Sequence, residues 1–412
     1  MDPHAKSFQK KKLFYVLTSA GKPVWTRYGE CADLAVFIGA LAAIIFKFQS
    51  YYNGVKDSLR YLRTSDTYIV ILCTEALYYV CISRGKDSIE SIYHQLEMLH
   101  AKVLSTLTSS ITQTLLSRPG FDVGNLMGGT HDALDTLIRT SAISPCFLEG
   151  FMPVRMPISQ RSQISQAFKN SNHEDILYGF LMTPEFMIYK YCRRGEQIHP
   201  IDIFLLTNLL TSYASLRSTM SWTPICLPNY NNEGFVYAYI TFIQDTKIGI
   251  ILISDNASAF KDLKFCADGI EKEIVSLIPV LMDAIRMMPY SITTCEAADF
   301  KHFLYMPKGD QYSMPSFYPS TRTILAEIPI ECYKKTLRRY YSAFKLSKCA
   351  EYFKGYYVRI DIYRNEQIVC IRQPEYTLLG SISPLISSAS VVQSVNQLLR
   401  WLKSEEQNLF IK

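Results

Sequence analysis

The residues whose types could carry chemistry here are the pair Gly21-Lys22, the glycines Gly124, Gly128 and Gly129, seven histidines and eleven cysteines. A phosphate-cradling loop needs a glycine five residues before its Gly-Lys pair and a Ser or Thr directly after the lysine to ligate magnesium. Val16 and Pro23 stand in those two places. The stretch is therefore the corner of a hairpin: Leu13, Tyr15 and Leu17 alternate with Phe14 and Val16, Gly21 supplies the turn angle and Pro23 opens the second strand. The run GNLMGGT, Gly124 to Thr130, reads as a turn and helix cap rather than a phosphate nest.

The histidines are His4, His94, His100, His131, His173, His199 and His302, and none falls in an H-x-x-x-H or H-E-x-x-H spacing. The cysteines form no C-x-x-C, their count is odd, and Cys73, Cys81 and Cys370 sit inside apolar runs where Cys acts as a small hydrophobe. No G-x-S-x-G elbow occurs, and His199-Pro200 reads as the start of a helix. No metal, no cofactor and no covalent chemistry are expected. A net charge of +6 over 412 residues is too mild to imply nucleic acid, though a local basic patch could meet anionic lipid. The start of the chain lacks the apolar segment of a signal peptide. The longest apolar run, Leu34 to Phe46, has thirteen residues, short of the roughly 18 of a membrane span. A cytoplasmic protein with reduced thiols, at most peripheral on a membrane, is expected.

The elements that would position any site recur. After the hairpin, Asp33 to Phe48 reads as a helix capped by Asp33, followed by strands near Ser58, Thr67 and Leu77 and a long amphipathic helix from Asp87 as cap to about Leu116. The order returns as a hairpin in Glu174 to Cys192, a helix in His199 to Leu210, the strands TPICLP, GFVYAYITFI and KIGIILIS, and a helix from about Ser258. A looser third pass begins at Lys301, continues through a helix near Thr336 to Lys345 and the strands GYYVRIDIYR and QIVCIRQ, and ends in SVNQLLRWLKSEEQNLF. The division is a tail at 1–12, domains at 13–117, 174–290 and 291–412, and an ordered connector at 118–173.

One segment breaks the ordinary pattern. A helix that covers one sheet face keeps a polar side toward water, yet Leu34 to Phe46 is apolar all the way round. Its outer face wants a partner. Asp33, Val36, Phe37, Ala40, Ala43, Ile44 and Lys47 are the candidate platform residues. Trp222 stays open between a core side chain and an exposed anchor. Arg193, Arg194, Lys334, Lys335, Arg338 and Arg339 are the candidate membrane-facing cations.

With these residues in view, the chain resembles the Mon-one/SAND family of vacuolar fusion proteins. SAGKPVWTRYG (Ser19 to Gly29), HPIDIFLLTNLL (His199 to Leu210), WTPICLPNYNNEGFVYAYITFI (Trp222 to Ile243), HFLY (His302 to Tyr305) and LLRWLKSEEQNLF (Leu398 to Phe410) carry the resemblance, in order, over nearly the whole length. It implies an α+β fold of three longin domains, each a five-stranded antiparallel sheet flanked by helices. It also implies that the chain forms, with a second three-longin protein of the Ccz-one kind, the exchange factor for a Rab-seven type GTPase on late endosomes and vacuoles. Recruitment by a Rab-five type GTPase, for which Trp222 is the candidate residue, and contact with phosphoinositide-bearing membrane follow from the same resemblance. An adaptor or tether without exchange activity is the alternative. Family members commonly carry a long N-terminal extension, and here about a dozen residues precede Leu13.

Overall fold

The computed structural model describes residues 11–29, 35–51, 58–85, 87–144, 148, 150–288, 290–291, 299–307, 316–318, 330–348 and 355–411. The chain divides into two compact units, Met1–Arg139 with Cys226–Phe235, and Thr140–Ile225 with Val236–Lys412.

The opening strands β1 (Lys12–Thr18) and β2 (Pro23–Thr26) form an antiparallel hairpin. Gly21 turns it with φ at 84°, a left-handed angle that favours glycine, and a Cβ there would stand 3.1 Å from the Cβ of Ala42. Helix α1 (Ala35–Tyr51) follows, then the meander β3 (Tyr61–Arg63), β4 (Tyr68–Cys73) and β5 (Leu77–Ser83). The sheet order is β2-β1-β5-β4-β3. Alternation divides β1 between two layers: Leu13, Tyr15 and Leu17 join Ile38, Leu41, Ala42 and Ile45 of α1 in one core. Helix α2 (Ile89–Leu107) packs across β4 and β5.

Two features of this domain differ from the sequence reading. The cap of α2 is Ser88, whose side chain accepts from Ser91 N–H, and not Asp87. Asp87 is buried and engaged elsewhere, 3.0 Å from Lys12 Nζ and accepting from Ser83 Oγ. The long helix also stops at Leu107: Thr108 takes φ of 59°, and α3 (Ser110–Ser117) starts anew. Three consecutive hydroxyl residues compete with the helical ladder here. The Thr108 and Ser110 hydroxyls bond each other at 2.7 Å, and Ser109 N–H donates to the Asn232 carbonyl, also at 2.7 Å, rather than back into the helix.

In the connector, α4 (His131–Ser141) and α5 (Ile158–Asn170) are the main helices. The second sheet repeats the first in order, with β6 (Tyr178–Met182), β7 (Met187–Cys192), β8 (Ser221–Leu227), β9 (Asn231–Phe242) and β10 (Gly249–Ser254) arranged β7-β6-β10-β9-β8. Helix α6 (Pro200–Ser212) intervenes, and α7 (Phe260–Ile274) and α8 (Ile278–Arg286) follow. His199 caps α6 by accepting from Ile201 N–H.

The third sheet departs from the five-strand expectation. It has six strands, β11 (Tyr290–Ser291), β12 (Phe300–Pro307), β13 (Ser316–Tyr318), β14 (Tyr357–Ile362), β15 (Gln367–Arg372) and β16 (Tyr376–Ile382), ordered β11-β13-β12-β16-β15-β14. The added strand, β11, pairs parallel with β13, and two residues are too few to carry a period-two pattern. Helices α9 (Ile330–Lys348) and α10 (Ser388–Ser404) complete this domain. The connector reaches its C-terminal end: Met156 N–H donates to the Asn408 carbonyl, buried Arg161 donates to the same oxygen at 3.1 Å, and Arg155 pairs with Glu405 at 2.6 Å. Among the described residues, no helix is long and apolar enough to cross a membrane.

Two histidines make folding sensitive to acid. Burial pushes the pKa of His100 down to about 4 and that of His302 down to about 3, from 6.5. Above pH 6.5 both are neutral, folded or unfolded. As pH falls below 6.5 the unfolded chain takes up protons that the folded one refuses, so stability declines by on the order of 1.4 kcal/mol per histidine per pH unit. The urea midpoint is expected to drop steadily from pH 6.5 toward pH 4, with a shallower slope in His302→Gln; a flat midpoint over that range would contradict the burial of these rings.

Candidate functional surface

Helix α1 carries one charged residue in seventeen, Lys47. Ile38, Leu41, Ala42 and Ile45 face the sheet and are buried. Full burial of an isoleucine or leucine side chain such as Ile38, Leu41 or Ile45 stabilises by roughly 1.5–3 kcal/mol. Tyr78 Oη donates to Gln49 Oε1 at 2.9 Å, and the Phe37 ring stands 5.8 Å from that of Tyr15, which fix the helix on the sheet near both of its ends.

Among the described residues, the outer face has no such cover. Val36, Ala40, Ala43 and Lys47 follow one another at helical spacing, and all are exposed, Val36 to 89%. Ile44, Phe46 and Tyr51 flank the stripe at 47, 65 and 83% exposure. Below it, Ile44, Lys47, Phe48, Tyr51, Leu59 and Leu62 line an open groove of about 280 Å³. Single exposed apolar side chains are unremarkable on a protein surface, but a contiguous strip beside an apolar groove is a candidate interaction surface. The corresponding helix of the second domain makes the contrast: on α6, Ile203, Phe204, Leu205, Leu206 and Leu210 are all buried, and even Asp202 is fully inside.

Of the platform residues named from sequence, the structure brings Val36, Ala40, Ala43, Ile44 and Lys47 together on this outer face, and turns Phe37 partly inward against the core. Asp33 lies outside the described residues. Groove residues Tyr51, Leu59 and Leu62 are not among the sequence candidates: Tyr51 lies one turn beyond Lys47 on α1, whereas Leu59 comes from just before β3 and Leu62 from β3 itself, a non-local approach that no spacing in the sequence marks.

Trp222 is neither a fully buried core residue nor a free anchor. It is half-buried on β8, stacked on Tyr237 at 5.6 Å and edge-on to Phe260 at 5.8 Å, against the second-domain core. The six cations fall on two elements. Arg193 and Arg194 follow β7, where Arg193 is 3.2 Å from Asp255 and 3.8 Å from Glu196. The other four lie on α9, with Lys334 2.9 Å from Glu331 and Lys335 exposed. Arg339 is committed inward: it pairs with the buried carboxylate of Glu366 and lies 3.8 Å over the Tyr363 ring. Glu366 also accepts from Thr336 and Ser381.

Lys22, the lysine of the opening turn, forms an exposed ion pair with Asp122 at 3.6 Å. One group among the described residues, His173, Asp175 and Asp262, brings three potential ligand atoms within 4.8 Å of one another. Two of its members are engaged locally: Asp175 N–H donates to His173 Nδ1, and Asn256 donates to the Asp175 carboxylate.

Comparison with known proteins matches three longin-domain families along the chain. The first, second and third longin domains of FUZ, MON1 and HPS1 match residues 12–137, 174–270 and 299–406. Vacuolar fusion protein MON1 homolog A of Homo sapiens is 27% identical over 97% of this chain. The MON1 homolog of Oryza sativa subsp. japonica is 26% identical over 100% of it, and MON1 of Cryptococcus neoformans (strain JEC21) 28% over 97%. The chain spans 61% of the length of the human relative, 76% of the rice one and 65% of the Cryptococcus one.

Because Ala43 and Ile44 point outward, Ala43→Asp and Ile44→Asp are each expected to leave folding stability within about 0.5 kcal/mol of the parent. Ile45→Asp, one residue on, places a carboxylate in the core and costs several kcal/mol. Thermal denaturation of the three variants checks this; a large loss at Ala43 would mean that the outer face is packed.

Proposed function

Since the chain belongs to the three-longin family of FUZ, MON1 and HPS1, we propose that it is one subunit of a heterodimeric guanine nucleotide exchange factor. The partner is a second three-longin protein of the Ccz-one type, and the substrate is a Rab-seven type GTPase. The relatives' name, vacuolar fusion protein, supports a place of action on vacuolar and late endosomal membranes, in fusion and trafficking. The observation that carries the reading is the bare apolar outer face of α1 with the groove beneath it.

Exchange needs no nucleophile and no acid–base pair. The factor binds the nucleotide-free GTPase more tightly than its GDP and magnesium complex, so its contacts accumulate only as the nucleotide leaves. Picomolar GDP corresponds to roughly 16 kcal/mol, which protein contacts and displacement of the switch loops must offset. A flat, mostly apolar face with one lysine suits that task, because it buries large area and leaves few charges to desolvate. The opposing reading is an adaptor that binds through the same face without speeding release.

Release of fluorescent GDP from the Rab-seven type GTPase separates the two. The chain with its partner is expected to accelerate release, and Ala43→Asp or Ile44→Asp to cut that acceleration about tenfold or more in a folded protein. Binding without acceleration would leave the adaptor; wild-type rates in both variants would remove α1 from the account.

We place membrane contact on Arg194, Lys334, Lys335 and Arg338, with Arg193 weaker because of its two acidic neighbours. Each cation near an anionic surface contributes about 1 kcal/mol, so single changes are mild and combined ones strong. Flotation with phosphoinositide-bearing liposomes is expected to fail for the variant with these four neutralised. Arg339→Ala is a poor probe, because it strands the buried Glu366 and is expected to destabilise the fold by about 3–5 kcal/mol. Trp222 is proposed to help receive a Rab-five type GTPase, through the exposed part of its ring.

A further inference from the structure

Exposed sheet edges offer unpaired backbone groups, and proteins ordinarily blunt them with prolines, charges, shortness or cover. Five of the six sheet edges among the described residues are treated in this way. In the first sheet, β2 has four residues and opens at Pro23, and β3 has three and ends at Arg63. In the second, β8 contains Pro224, while β7 carries Lys190 and is bonded at Met187 by connector residues, with Val154 N–H donating to Met187 and Met187 N–H donating to Met152 at 2.8 Å. In the third, β11 has two residues.

The sixth edge, β14, is neither short nor broken by proline, no other described segment bonds its open side, and its two charges, Arg359 and Asp361, are paired with each other. It is six residues long, without proline, and pairs on one side with β15 over its full length. Tyr363 N–H donates to the Glu366 carbonyl at 2.8 Å, so that pair is a hydrogen-bonded one. Alternation then turns the backbone groups of Tyr357, Arg359 and Asp361 toward β15 and leaves those of Val358, Ile360 and Ile362 on the open side. The same residues present an apolar stripe, with Val358 68% and Ile362 73% exposed and Tyr356 beside them at 62%. The two charged residues of the strand, Arg359 and Asp361, bond each other at 2.8 Å on the opposite face.

The sequence of this strand is complementary to itself. Laid antiparallel against a second β14 with Ile360 at the centre, it puts Val358 opposite Ile362, and both are residues whose backbone groups face outward. Arg359 then meets Asp361 twice across the pair, and Tyr356 meets the exposed Arg364, which forms no ion pair among the described residues. We infer that β14 pairs with β14 of a second copy of this chain, joining two third-domain sheets into one continuous sheet about a twofold axis. The interface is small and association correspondingly weak, so it is favoured where the chain is concentrated on one surface. It is independent of the outer face of α1.

Sedimentation of the full chain from low to high micromolar concentration, with amide hydrogen exchange across β14, tests this pairing. All arms carry Ala43→Asp, so that association through α1 does not intrude. A monomer–dimer equilibrium is expected, with the amides of Val358, Ile360 and Ile362 more slowly exchanged as concentration rises. Val358→Lys with Ile362→Lys is expected to abolish dimers. Arg359→Asp, which sets like charges opposite one another, should weaken them about tenfold, and Arg359→Asp with Asp361→Arg should restore them. A chain that stays monomeric at every concentration, dimers indifferent to the two lysines, or protection of these amides only when a different protein or a lipid vesicle is added would each overturn the proposal. Unchanged thermal melting of the variants confirms that the strand itself survives.

Discussion

Everything distinctive about this chain follows from a helix with no polar side. Helix α1 must lay Ile38, Leu41 and Ile45 on the first sheet, because those side chains fill the space above Leu13, Tyr15 and Leu17. The same composition then leaves Val36, Ala40, Ala43 and Ile44 in water, with only Lys47 for solubility. Isolated, such a face costs free energy and invites nonspecific contact. The second domain solves the equivalent problem within the chain, where α6 is buried with its apolar residues all round. One architecture thus appears in a closed form and an open form, and the open one is where a partner gains most by binding.

Contacts within the first domain hold that open face in place. Gly21 brings the hairpin corner within van der Waals reach of Ala42, Gln49 ties the far end of α1 to Tyr78, and the Lys12–Asp87 pair joins the first strand to the start of α2. A surface fixed in this way loses little conformational freedom on binding, which favours association through contacts that are individually weak. Action by binding energy, as proposed above, depends on shape and apolar area, and those are what α1 supplies.

Much of this is legible in the amino-acid sequence. The strand–strand–helix–three-strand order can be read twice in full because alternation and helical spacing are local signals; in the third pass β16, a continuous buried run without alternation, is not picked out. The absence of a polar side on α1 is visible in thirteen letters. The features that sequence does not reveal are non-local. Asp87 resembles a helix cap by position but is taken by Lys12, seventy-five residues away in sequence on another element. The break at Thr108 depends on Asn232 accepting the Ser109 N–H, and the parallel strand β11 is too short to carry a pattern. Arg339 has the sequence context of one more surface cation, yet it lies against the buried Glu366. An apolar helix alone does not determine which of its sides faces out; the sheet decides it.

The central claim, that the outer face of α1 is the docking surface, is tested most directly by site-specific photo-crosslinking. A photoreactive side chain is placed in turn at Ala43, at Ile44 and, as an inward control, at Ile45, in the chain assembled with its three-longin partner and the nucleotide-free GTPase. The account expects covalent adducts to one of those two proteins from Ala43 and Ile44 and none from Ile45. Adducts absent from both outward positions, in a complex that is otherwise intact and active in nucleotide release, would contradict it.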